Sequence, residues 1–439
     1  MDATTALGGD RRGATPPTER QGAVTRFLAS APPWLFALYG GLSSFGVYFA
    51  MFGYRKPFTA AAFDHPAGWP FAFDFKVALV VAQVAGYATA KFIGVKVISE
   101  MRPNHRAMAI LLLIGGAEAA LALFGLLPTV AGPLALYLNG LALGMIWGLV
   151  FGFLEGRRLT EVLGAMLCAS FILSSGVAKS VGKTLLLSHV SERWMPAMSG
   201  LIFAPLLLIA VMALAQLPPP NADDEAERVR RAPMSAKDRK ALFAAHAPAL
   251  ILLIAVYVIL TALRDFRDNF SAEIWAELGF KNAASIFTLS ELPVAAIVLV
   301  GLAALMGVKD NRRAVAFNIG FVALGFLLLG VATLAFQLHL LGPVWWMILA
   351  GAGLYMGYTP FNAMLFDRMI AATGKVGTAG FLIYMADSFG YLGSISLLLV
   401  KSFAHLNIAW GQFLAVGAYV ACILGLAGTF LANRFLAKL

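Results

Sequence analysis

Charge is what this sequence has least of for its size. Only 13% of its 439 residues are Asp, Glu, Lys or Arg, 60% are hydrophobic, and the mean hydropathy is +0.80. A soluble globular domain carries about 25% charged residues, so the deficit points to lipid as the solvent. Cysteine is nearly absent. Cys168 and Cys422 both lie inside apolar runs, which speaks against a disulfide framework and a thiolate metal site. The first thirty residues are polar and basic and hold no apolar core of the kind a cleavable signal needs. The first apolar span is therefore expected to act as its own insertion signal. No nucleophile–base pair, metal-ligand cluster or phosphate-gripping glycine loop stands out, so no enzyme, cofactor or metal is expected. The net charge of +10 is spread over short loops and not gathered on one face, which argues against a nucleic-acid partner.

What is present is a series of long apolar runs. A spanning helix needs about 20 such residues. Runs at roughly 33–62, 75–98, 107–127, 131–154, 162–188 and 195–216 are followed by a charged stretch, then by runs at 246–272, 284–306, 314–338, 343–369, 376–400 and 408–433. The pattern predicts an all-α membrane protein of twelve transmembrane helices in two six-helix pseudo-repeats. Its parts are a polar N-terminal segment (1–32), a first bundle (33–217), a linker (218–245) and a second bundle (246–439). If the N-terminus is inside, 22 of the 33 Lys and Arg residues fall on inside segments. This bias predicts a multi-pass inner-membrane protein with both termini cytoplasmic. The bilayer is the expected partner, and a monomer the expected state.

The halves echo each other. Val47-Tyr48 is followed by Arg55, and Val256-Tyr257 by Arg264, with the same Tyr-to-Arg spacing and an offset of 209 residues. Gly94-Val95-Lys96 and Gly307-Val308-Lys309 repeat at an offset of 213. Two six-helix halves repeated in parallel are the organisation of major facilitator transporters, whose substrate site lies at their interface near mid-membrane.

Ionisable side chains inside spans cost roughly 2.5–3.5 kcal/mol each on the insertion scale, so each asks for a reason. Arg55 and Lys56 sit late in the first span, about 100° apart on a helix, so at most one of them is expected to face the bundle axis squarely. Lys91, Lys179 and Lys183 lie in the second and fifth spans. Lys179 is the better cavity candidate, with Lys183 near the outer surface. In the seventh span Arg264 and Asp268 are spaced to pair along the helix, with Asp265 and Arg267 beside them. Glu118, Glu291 and Asp387 are isolated in apolar runs, each either a partner for a buried cation or a proton carrier. Snorkelling at a helix end or structural pairing is the plain alternative for all of them. A cavity lined by Arg and Lys from both halves favours an anionic solute, since Arg offers paired bonds to phosphate or carboxylate. Gly140 and Gly144 fit a small-xxx-small packing contact.

Several stretches carry a family resemblance: Tyr54-Arg55-Lys56-Pro57-Phe58, Lys91-Phe92-Ile93 with Ser99-Glu100, Gly144-Met145 with Trp147, Leu263-Arg264, and Glu291 with Pro293. Tyr358-Thr359-Pro360, Lys375, Gly377-Thr378-Ala379 and Phe389-Gly390-Tyr391-Leu392-Gly393 follow in the same order. Together they resemble the organophosphate–phosphate antiporter family of the major facilitator superfamily, in scattered matches over most of the chain. The resemblance implies that Arg55 and Arg264 bind the phosphate of a substrate and that Lys91 assists. Tyr54 and Tyr358 stand in the matched stretches, and with Lys179 they complete the candidate binding set. The family's histidine in the fifth helix has no counterpart: Leu173-Ser174-Ser175-Gly176 stands there, with Lys179 a turn on. Asp387 is an acid absent from the family pattern. The expected function is a secondary transporter of a small anionic solute. The alternatives are a proton-coupled symporter or exporter using Asp387, Glu118 or Glu291, and a non-transporting sensor of the same fold. Glu291 is the expected resting partner of one of the two arginines, and the first helix is expected to continue past Arg55 to about Phe63.

Overall fold

The computed structural model describes residues 22–64, 66–155, 157, 159–220, 224, 236–373, 379–403 and 408–436. Arg228, Arg230 and Arg231 of the linker, Lys375 and Gly377-Thr378 lie outside the described residues, as does most of the N-terminal segment. All regular structure among the described residues is helical. Twelve long helical segments follow one another: α1 (Pro33–Arg55), α2 (Phe75–Glu100), α3 (Arg106–Leu126), α4 (Thr129–Leu154), α5 (Thr160–Leu187), α6 (Met195–Ala215), α7 (His246–Asn269), α8 (Ile286–Met306), α9 (Asn311–Gln337), α10 (Pro343–Pro360), α11 (Ala379–Phe403) and α12 (Trp410–Leu436). All but α10 are long and apolar enough by length and composition to cross a membrane. α10 continues as a π turn, Phe361–Leu365, and a further helix, Phe366–Thr373.

Local chemistry sets the ends. Pro33 and Pro343 start their helices at the first turn, where a missing N–H costs nothing. Asp310 caps α9, its side chain accepting from the Arg313 N–H at 2.8 Å. Pro57 ends α1, because a proline has no N–H to donate back along the helix and its ring crowds the preceding turn. The expected continuation to Phe63 is therefore replaced by a single 3-10 turn, Pro57–Ala60.

The packing is inverted relative to a soluble protein. Leu112, Val300 and Ile423 point outward, whereas Arg55, Lys56, Lys91, Lys179, Arg264 and Arg267 are buried. Lipid accepts the first set at no cost, and the second must find partners inside. The two halves pack alike. α1 lies against α5 and α6, α2 against α4, and α3 against α4 and α6. Six helices on, α7 lies against α11 and α12, α8 against α10, and α9 against α10 and α12. The α2–α4 contact is close because Gly86 and Gly140 let the backbones touch. A Cβ on either would sit 2.0 Å from the other helix's carbonyl oxygen, of Tyr137 and Gln83 respectively. Across the interface α5 meets α8 and α2 meets α11. That contact pattern places the ends of α1 and α7 and the middles of α2, α10 and α11 around one central space.

Candidate functional site

The central space is a cavity of about 30 Å³, room for roughly one water molecule. Arg55, Lys56 and Lys91 line it from the first half, and Arg264, Asp265, Asp268, Asn362 and Asp387 from the second. Its remaining wall is aromatic, with Tyr48, Tyr87, Tyr355, Tyr358, Tyr391 and Trp147 among the lining residues.

Arg55 is 7% exposed, although its helix stops at that residue, because the following 3-10 turn is itself buried over it. Lys76 Nζ ties that turn down by donating to Thr59 O at 2.8 Å. The Arg55 guanidinium lies over the Tyr87 ring, 4.1 Å from its centroid. Its Nε is buried with no acceptor, and no carboxylate pairs with it among the described residues. Arg264 lies over the Tyr358 ring at 3.7 Å and pairs with Asp265 at 2.7 Å. Asp265 also accepts from Ser394 Oγ at 2.9 Å.

Several sequence expectations are corrected here. Arg264 does not pair with Asp268 along the helix, since its neighbour Asp265 holds it. Asp268 instead faces the other half, where Lys56, Lys179 (2.7 Å) and Ser175 converge on its carboxylate. Glu291 is not the partner of Arg55 or Arg264. It pairs with Arg267 at 2.9 Å, and that guanidinium also donates to Met347 O. Arg55 and Lys56 both line the cavity, the one as the last residue of α1 and the other as its C-cap, so being neighbours on a helix does not keep either from the central space. Lys179, Tyr54, Glu118 and Glu291 lie outside the cavity lining. Lys179 is spent on Asp268, Asp268's backbone oxygen and Ser271 Oγ. Glu118 lies near Tyr54 and Gly200, with a buried Oε2 that has no partner. Lys91, Tyr358 and Asp387 do line the cavity. Lys91 Nζ pairs with Asp387 Oδ2 at 3.1 Å across the halves, and Asp387 Oδ1 accepts from the Tyr257 hydroxyl.

Sequence reading missed Tyr87, which carries Arg55, and Asn362. The signal for Asn362 was Pro360. A proline inside a helix removes one backbone bond, and the π turn that follows turns Asn362 inward to donate to the Tyr257 hydroxyl at 3.2 Å. Tyr87 carries no local signal, being one aromatic residue in an apolar run.

The cavity is closed at both ends by ties between the halves. On the side away from the termini Lys56 and Lys179 hold Asp268, and Lys76 pairs with Glu273. Burial pushes the Glu273 carboxyl up from its ordinary range, with the Lys76 ammonium opposing. On the terminal side Arg368, after the π turn, pairs with Glu161 of α5 at 3.0 Å. A solute of several heavy atoms enters only if one set of ties opens.

The charge balance is uneven. Among the described residues seven Lys or Arg side chains are buried against four Asp or Glu. Glu273, the partly exposed partner of Lys76, raises the acids to five and leaves an excess of two positive charges. One is Arg55, and the other arises because Lys56 and Lys179 share Asp268.

Solved structures of the same fold are transporters. The nucleoside transporter NupG is matched with a TM-score of 0.60 at 16% identity, over 90% of this chain and 98% of that one. A bacterial homologue of the lysosomal transporter Spinster gives 0.60 at 15%, over 93% and 98%, and the D-xylose-proton symporter 0.58 at 15%, over 91% and 96%. At these identities the likeness establishes the twelve-helix major facilitator fold. No curated protein matches by sequence. A family profile matches over residues 57–438, and on that evidence the chain belongs to DUF5690, a family of unknown function.

Proposed function

We propose that this protein is a secondary transporter of a small anionic solute, whose phosphate or carboxylate is held between Arg55 and Arg264 in the central cavity. The observation that carries the reading is Arg55. A guanidinium buried at mid-bundle, stacked on Tyr87 and lacking a carboxylate partner is an unstable arrangement unless an anion completes it. Arg264 shares the cavity and is only singly compensated, by Asp265. Two planar guanidinium forks suit a tetrahedral or planar oxyanion, whereas lysine would keep the charge and lose the paired geometry. The excess of two buried positive charges supports the same sign of solute. Ties on both faces support alternating access, with the Asp268 and Glu273 ties parting when the cavity opens away from the termini and the Arg368 tie parting when it opens towards them. The Lys and Arg bias supports cytoplasmic termini and an inner-membrane location.

A thermal-shift series on the purified protein tests the reading. A ligand that binds only the folded form raises its unfolding temperature by mass action. Small phosphate monoesters and carboxylates are expected to stabilise the wild type, with neutral analogues inert and Arg55→Lys unresponsive. Stabilisation by neutral solutes alone, or an unchanged response in Arg55→Lys, sinks the anion site while leaving a transporter of another solute.

A further inference from the structure

From the placement of Asp387 we propose that it is a proton-coupling carboxylate, which takes up a proton when the solute's anionic group displaces it from Lys91. This deepens the anion-transport reading and rests on it. Asp387 sits on α11, the helix that packs against α2 across the halves, and it reaches into the cavity where Lys91 waits on α2. Its two oxygens have separate partners: Tyr257 donates to Oδ1, and Lys91 holds Oδ2 at 3.1 Å. The Lys91 ammonium has no other carboxylate among the described residues, and it is framed by the rings of Tyr384 at 5.0 Å and Trp147 at 5.3 Å. The ionisable groups facing Asp387 are Lys91 and Tyr87 from α2, Tyr257 from α7, Tyr358 from α10, and Tyr384 and Tyr391 of its own helix. Arg55 and Arg264 line the same cavity, stacked on Tyr87 and Tyr358, and Lys91 is the one cation that pairs with Asp387 among the described residues.

The consequence is electrostatic. An anion bound between Arg55 and Arg264 lies within the same cavity as Lys91, and its free oxygens compete with Asp387 for that ammonium. When Lys91 turns to the solute, Asp387 is left as a buried carboxylate without its cation, an unfavourable arrangement. A proton on the vacated Oδ2 removes that charge, while Tyr257 still donates to Oδ1. The proton comes from the aqueous side to which the cavity is open. Lys91 stays an ammonium throughout and exchanges one anionic partner for another. On the opposite side the solute leaves, Lys91 returns to Asp387, and the proton is released. One proton therefore crosses with each solute. The Arg267–Glu291 pair lies outside the cavity and takes no part.

The switch is testable without knowing the solute, because Lys91→Met removes the same partner that the solute would. In infrared spectra of the purified protein at neutral pH, Lys91→Met should show the carbonyl stretch of one protonated carboxylic acid more than the wild type. That added band should be absent in Lys91→Arg and in the double variant Lys91→Met/Asp387→Asn. Lack of that band in correctly folded Lys91→Met, judged by a single symmetric peak on gel filtration, overturns the proposal. If Lys91→Met does not fold, the same band is sought in wild type saturated with inorganic phosphate, and its absence there overturns the proposal equally. In proteoliposomes with inorganic phosphate or a phosphate monoester as probe, an inward proton gradient should raise wild-type uptake at least tenfold, and uptake by Asp387→Asn should ignore the gradient. Gradient-driven uptake that survives in Asp387→Asn also overturns the coupling. An infrared band with no flux of either probe supports the switch and counts against phosphate as the solute.

Discussion

The two halves repeat one helical plan but bring opposite charge to the space they share. From the first half come Arg55, Lys56 and Lys91, with Lys179 behind them, and no acid lines the cavity from that side. The second half supplies Asp265, Asp268 and Asp387 with one cation, Arg264. Lys56, Lys91 and Lys179 of the first half are matched to carboxylates of the second, and the repeat-equivalent arginines differ because α7 has Asp265 next to Arg264 whereas α1 has Lys56 next to Arg55. Ion pairs that cross a moving interface can be remade on each cycle, whereas pairs within one half are fixed. The lesson is that the halves are not interchangeable: one brings cations to the cavity and the other mainly carboxylates.

The largest expected effect comes from removing the most shared carboxylate. Asp268→Asn strands Lys56 and Lys179 together, and breaking a buried pair by removing one partner costs about 3–5 kcal/mol. Thermal unfolding in detergent should fall steeply, and the added change Lys179→Met should recover much of the loss. An unperturbed melting temperature would mean that the tie between the halves holds nothing.

Arg55 should behave in the opposite way. Arg55→Met removes a charge without a paired acid, whose desolvation of several kcal/mol is offset in part by a cation–π contribution of about 2 kcal/mol. The unliganded protein is expected to gain on the order of 1 kcal/mol in stability by that difference, and to lose the stabilisation by anions altogether. A loss of stability in the unliganded variant would show that Arg55 is a structural residue.

Arg264→Lys keeps the link to Asp265 but loses the planar fork. Its anion affinity should fall by about tenfold, roughly 1.4 kcal/mol, with the melting temperature of the unliganded protein nearly unchanged. The difference between this result and that for Arg55→Met is the sharpest measure of how far the two halves diverge.

The smallest effect is expected at the terminal side. Glu161 is 39% exposed, so the Arg368–Glu161 pair is worth roughly 0.2–1 kcal/mol after screening. Arg368→Gln should scarcely change unfolding, yet cysteine labelling from the terminal side should become faster as that end opens more often. Labelling that is unchanged would place the terminal gate elsewhere.

How much was legible follows from length scales. Span number and order, the six-plus-six repeat and the basic bias are properties of twenty-residue windows, and apolar composition alone reveals them. The end of α1 was written in Pro57 and was overlooked in favour of continuous apolarity. The candidate cations Arg55, Lys91 and Arg264 were legible because charge in a span is costly wherever it points.

Which acid each cation chose was not legible, because pairing depends on which helices touch. Asp268 could be read along α7 towards Arg264, but α5 and the end of α1 bring Lys179 and Lys56 closer from the other half. Glu291 was free to meet any cation until α8 set it beside Arg267. The sequence by itself determined that this chain folds in lipid as twelve helices in two related halves, since the bilayer tests each span separately. Only the tertiary structure decided that Arg55 stands without an acid while Asp387 holds Lys91, because side chains separated by hundreds of residues meet only where helices cross.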